Sequence, residues 1–128
     1  PQDLFLKLIP PTLSFEEVKN KIKAGTLIDA HECYVVEVEG EKAGKKMTYI
    51  FSVPFPSLRE VQKKLSGATH ESYVTGISAA IFTEMICMGE IKAKGVFLPE
   101  CLERKTRDTF IAKLAEKDIK IHERAEKA

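Results

Sequence analysis

The chain lacks most of the marks by which a self-contained enzyme is recognised from sequence. No G-x-G-x-x-G follows a candidate strand and no G-x-x-x-x-G-K-[ST] occurs, which excludes both familiar phosphate cradles. No G-x-S-x-G elbow is present either, since Gly76-Ile77-Ser78 lacks the second glycine. Charge of one sign is not in excess: 20 basic and 19 acidic side chains leave a formal net charge of +1. The Lys-rich stretches at Lys19–Lys23 and Lys42–Lys46 are broken by apolar or acidic residues and read as solvated faces. Nucleic-acid binding, which calls for a basic patch or stripe, is therefore not expected.

Long hydrophobic runs are missing too. Nothing reaches the about 18 apolar residues of a membrane span, and no charged-then-apolar leader opens the chain. No membrane partner is expected, and a cytoplasmic location is. Cysteine is scarce: Cys33, Cys87 and Cys101 are odd in number and have no C-x-x-C spacing. They read as reduced thiols, two of them acting as small core hydrophobes. Histidine is equally sparse, and His31, His70 and His122 are scattered, each followed by Glu. His31 lies near Cys33, but structural zinc needs four ligands at recognisable separations, so no metal site is expected. The histidines are read as capping, pairing with neighbouring acids, or standing in water.

What is present fits one ordinary globular domain. The chain has 128 residues, 44% hydrophobic and 30% charged, enough to bury a real core and unlike a disordered polymer. It opens at Pro1, the start expected of a processed protein or of a segment of a longer one. Residues 1–13, with Pro10-Pro11, read as an extended connector. Residues 14–122 read as a single domain, and 123–128 as a polar, fraying tail.

Within that domain, Ser14 and Glu17 form a capping box for a helix from Phe15 to Ala24, stopped by Gly25. Leu13 and Val18 are placed to form its hydrophobic staple, with Phe15, Val18 and Ile22 as the buried stripe. Two alternating strands follow. Tyr34, Val36 and Val38 share one face of the first, and Met47, Tyr49, Phe51 and Val53 one face of the second. Gly40–Gly44 is the expected hairpin loop. The opposite face, with Cys33, Val35 and Ile50, is partly apolar, as a second layer or a subunit contact requires. Ser57 and Glu60 cap a short helix through Leu65, with Leu58, Val61 and Leu65 inward. His70 to Thr75 reads as a strand, Ile77 to Met88 as a helix, Arg107 to Lys117 as another. Ile119-Lys120-Ile121 closes as a short strand. The order predicts a mixed α/β, or α+β, fold with helices on a largely antiparallel sheet.

Tyr73–Glu100 is the most informative stretch. Its helix carries Ile77, Ala79, Ala80, Ile81, Phe82, Met85, Ile86, Cys87 and Met88, with only Ser78, Thr83 and Glu84 as polar interruptions. A helix apolar around most of its circumference must be covered on more than one side. Glu84 is either a paired interface carboxylate or the mark of the one solvent edge, the latter favoured. At the other end, His70-Glu71-Ser72-Tyr73-Val74-Thr75-Gly76 delivers a polar strand to the helix start. Free N–H groups there can hold a carboxylate or phosphate, with Thr75 as an added donor. Equally, Thr75 can cap its own helix while Gly76 makes a tight turn.

These residues resemble the C-terminal segment of the saccharopine dehydrogenase-like family, which includes saccharopine reductases and lysine dehydrogenases. The likeness lies in Thr75-Gly76, in Ala79-Ala80-Ile81, in the run Gly89-Glu90-Ile91-Lys92-Ala93-Lys94-Gly95-Val96, and in Pro99-Glu100. It extends less specifically over the hairpin VEVEGEKAGKKMTYIF and over Phe110 to Ile121 with Asp118, about two-thirds of the chain. The family often has Pro two residues after the turn Gly, where this chain has Ser78.

The resemblance implies a ferredoxin-like or dihydrodipicolinate-reductase-like second domain that binds substrate and dimerises. The oxidoreductase it belongs to would act on an amino acid or amine-derived substrate. NAD or NADP would be bound by a separate N-terminal Rossmann domain, and this chain alone would hold neither tightly. Its partners would be that domain, a second copy and an amino-acid-like small molecule. No catalytic residue is assigned here. The substrate-binding candidates are His70, Tyr73, Thr75, Gly76 and Ser78. A second reading, from a different class, is a non-catalytic ligand-sensing or interaction module that dimerises through its sheet; a stand-alone small enzyme comes third.

Overall fold

The computed structural model describes residues 7–127. In chain order these form α1 (Phe15–Lys23), β1 (Cys33–Lys42), β2 (Lys45–Pro54), α2 (Leu58–Lys64), α3 (His70–Cys87), a 3-10 turn at Pro99–Cys101, α4 (Arg104–Ala115) and β3 (His122–Lys127). The fold is α+β, with a three-stranded antiparallel sheet in the order β1-β2-β3. Among the described residues no helix is long and apolar enough to cross a membrane. Of the expected extended connector, residues 1–6 lie outside the described part, Lys7 and Leu8 are helical instead, and residues 10–13 have no regular structure.

Local chemistry sets the early elements. The Ser14 hydroxyl accepts from the Glu17 N–H at 3.4 Å, and the Glu17 carboxylate accepts from the Ser14 N–H at 2.7 Å. Ser57 and Glu60 repeat this reciprocal bonding at α2, at 3.3 and 2.7 Å. Each box satisfies donors that a helix start leaves without partners. The hairpin is tighter than expected: Lys42 pairs with Lys45, leaving Ala43-Gly44 as the turn. Both turn residues have positive φ, 53° and 73°, as a two-residue type I′ turn requires.

Several sequence expectations are corrected. His70–Thr75 is not a strand but the first part of α3, whose cap is Thr69. Helical hydrogen bonding and burial of Tyr73 outweigh the β-propensity of Tyr73, Val74 and Thr75. α4 starts at Arg104, three residues ahead of Arg107. The final strand is not Ile119–Ile121, because Ile119 is buried in the core as the chain leaves α4. Instead His122–Lys127 forms β3, so the expected fraying tail is paired along β2 as far as Lys127. Lastly, Cys33, Cys87 and Cys101 are all exposed free thiols and none belongs to the core.

The core gathers Val61 of α2, Tyr73, Ile81 and Met85 of α3, Leu114 of α4, Ala68 and Ile91 between these helices, and Ile119 after α4. Val53 at the end of β2 packs against it. Leu58 joins Val61 inside, but Leu65 is half exposed, since the chain turns extended there. In α1 only Val18 is buried; Phe15 is 55% exposed. The sheet is covered at one end only. Tyr34, facing Val53, touches the buried Phe55 ring at 4.7 Å, yet Tyr34, Val36 and Val38 all remain at least half exposed.

Candidate functional site

α3 decides where the sequence candidates go. Because it runs unbroken from His70 to Cys87, Thr75 and Gly76 are interior helical positions. Their N–H groups serve the helical ladder, so the anion-holding terminus expected at Thr75-Gly76 does not exist there. At about 100° per residue the five candidates fan around the helix and do not converge on one site.

Each has its own surroundings. Tyr73 is buried, and its hydroxyl donates to the Lys117 carbonyl at 3.2 Å, pinning α3 to the end of α4. The Lys64 ammonium lies over the Tyr73 ring, 5.7 Å from its centroid, and pairs with Asp118. That hydrogen bond holds Asp118 below the usual carboxylate range and Lys64 above the usual lysine range. His70 places Nε2 3.3 Å from the Glu32 carboxylate, tying the first turn of α3 to the segment before β1. Its Nδ1 is buried and has no hydrogen-bond partner among the described residues. Ser78 donates back to the Val74 carbonyl at 2.7 Å. Gly76 is exposed, and a β-carbon there would meet nothing within 4 Å.

Of the five, Thr75 lines a cleft. It lies between α1 and the first turns of α3, with a cavity of about 420 Å³. Leu13, Phe15 and Val18 form an apolar wall, with Thr69, Ser72, Thr75 and Glu71 opposite. Thr69 and Ser72 satisfy one another: the Ser72 N–H donates to Thr69 Oγ1 at 3.1 Å and the Thr69 N–H to Ser72 Oγ at 2.8 Å. The Thr75 hydroxyl lines this cleft and has no hydrogen bond among the described residues. The cleft thus presents one hydroxyl without a hydrogen bond, the Glu71 carboxylate and an apolar wall. From the sequence Thr69 was not singled out, and Glu71 and Ser72 entered only as members of the expected polar strand. The Thr69-x-x-Ser72 spacing is a capping signal, but with Ser where Glu or Gln is usual.

A family model described as Saccharopine dehydrogenase C-terminal domain matches residues 6–119. The chain belongs to this family. Comparison with curated proteins and with solved structures gave no match. In this saccharopine dehydrogenase C-terminal domain, the matched span takes in the hairpin, the core helices and the cleft, and it stops at Ile119, before β3.

Two other polar groups in the domain are structural. Asp29 accepts from the N–H groups of Ala30 at 2.9 Å and Arg59 at 3.1 Å, latching the segment before β1 to α2. Desolvation acts to raise its carboxyl, but these N–H groups and the His31 and Arg59 charges outweigh it and leave it lowered. Glu84 is exposed at the edge of α3 and pairs with Lys113 of α4 at 3.4 Å, which fits the solvent-edge reading. Among the described residues no group of His, Cys, Asp and Glu is arranged to hold a metal ion.

Proposed function

We propose that this chain is the substrate-binding and dimerising domain of an NAD(P)-dependent oxidoreductase acting on an amino acid or amine-derived substrate. A separate N-terminal Rossmann domain binds the dinucleotide and supplies the hydride chemistry. This domain holds the substrate, with Thr75 at the cleft and His70, Tyr73, Gly76 and Ser78 serving the helix that carries it.

The observation that carries this reading is the apolar surface left open in a chain of this family. Tyr34, Val36 and Val38 are half exposed on the sheet, and Ile86 and Met88 at the end of α3 are 50% and 71% exposed. Such surface on a small domain marks where another body sits. α3 was expected to need cover on more than one side, and among the described residues it is covered on one.

The polypeptide upstream of Pro1 tests the proposal. A β-strand followed by G-x-G-x-x-G within one βαβ unit is expected there. An upstream region carrying no dinucleotide-binding unit would overturn it and leave the non-catalytic module as the better reading.

A further inference from the structure

β1 is the most demanding surface of the domain. It is a ten-residue strand at the edge of the sheet, so among the described residues one row of its N–H and C=O groups has no strand partner. Both of its faces are bare: Tyr34, Val36 and Val38 on one and Val35 on the other are 50 to 60% exposed. A long apolar edge is a template for another strand. Glu37 and Glu39 guard it, but only against pairings that set glutamates opposite each other.

We propose that β1 pairs antiparallel with β1 of a second copy, with Val36 on the two-fold axis. This rests on the reading of the chain as a dimerising domain and names the surface and the register. The axis stands perpendicular to the sheet, so each residue meets one from the same face. With Val36 at the centre, Val38 faces Tyr34, Glu37 faces Val35 and Glu39 faces Cys33. No glutamates are opposed, and Tyr34, Val36 and Val38 of both copies form one apolar strip. Centring on Glu37 sets that residue against itself, and centring on Val38 sets Glu37 against Glu39. Centring on Val35 separates the glutamates but leaves Val38 and Glu39 opposite residues that precede the strand. The Val36 register alone keeps the whole span 33–39 paired without like-charge contacts. Two three-stranded sheets then become one continuous sheet.

Engineered disulfides read the register directly. The three native cysteines are exposed and are first replaced by Ser. Val36→Cys and Val38→Cys are then made separately; both sites are at least half exposed, so the fold is retained. Residues facing each other across an antiparallel pair have Cα atoms about 4.5–5.5 Å apart, within disulfide reach. Val36→Cys is therefore expected to oxidise to a covalent dimer. Two copies of Val38→Cys are four residues out of register, ~13 Å along the strand, and should stay unlinked. Sedimentation of the unmodified chain is measured in parallel. A sedimenting dimer without the Val36→Cys link, or equal linking at both sites, overturns this register while the dimerising-domain reading stands. A chain that stays monomeric overturns both.

Discussion

The Phe15 ring lies on Gly67 so closely that a β-carbon at Gly67 would sit 2.5 Å from Phe15 Cζ and 2.8 Å from Cδ1. Gly67 also has φ of +91°, a conformation that L side chains rarely adopt. This contact sets how closely α1 approaches the start of α3, and so shapes the cleft beside Thr75. Gly67→Ala should destabilise by about 1–3 kcal/mol through backbone strain and overpacking together. Adding Phe15→Ala should recover the overlap but not the strain, leaving the double variant short of the original in thermal unfolding. Equal stability of Gly67→Ala and the parent would contradict the contact.

Gly76 predicts the opposite sign. It is an exposed, interior position of α3, and a β-carbon there would have open space around it. Gly76→Ala should therefore stabilise by roughly 0.4–1 kcal/mol, measured by urea unfolding. Were Gly76 the hinge of a strand-to-helix turn, the same change would cost stability.

Tyr73→Phe removes the hydroxyl that donates to the Lys117 carbonyl and keeps the ring in the core. A loss of about 1 kcal/mol is expected, with Asp118 and Ile119 showing faster amide exchange because the turn after α4 is released. A change confined to the cleft would point to a ligand-binding hydroxyl instead.

The Lys64–Asp118 pair gives a pH signature. Asp118 is depressed in the folded chain, so its contribution is present above the unfolded value of about 3.9. It fades as pH falls through the lower folded value. Lys64 is raised, so its contribution is present below about 10.4 and fades as pH climbs past that. Asp118→Asn tests this without disturbing the backbone, since Asn also tolerates the positive φ of 62° found there. The variant should be less stable than the parent at neutral pH, and the gap should close in strong acid and in strong base. A gap independent of pH would dismiss the pair.

Much of the fold was legible because its signals were local. Ser14 with Glu17 and Ser57 with Glu60 announce two helices, and the alternation of Tyr34, Val36 and Val38 against Met47, Tyr49, Phe51 and Val53 announces the hairpin. The rest depended on tertiary context. Tyr73-Val74-Thr75 has strand propensity and Gly76 looks like a turn, yet burial of Tyr73 in one core with Val61 and Met85 carries the helix through them. β3 shows no apolar alternation, because it is an edge strand held by backbone pairing to β2, with the side chains of His122 to Glu126 exposed. The site followed the same division. Thr75 was singled out by its hydroxyl, while Thr69, Glu71 and Ser72 come to line the same cleft only once the helix is wound.

Calorimetric titration of NADH and of NADPH into the chain decides most directly whether it is one half of a dehydrogenase. No saturable heat is expected with either, since the chain holds no glycine-rich phosphate cradle. Saturable binding of either dinucleotide in the micromolar range would contradict the division of labour between this domain and a separate Rossmann domain.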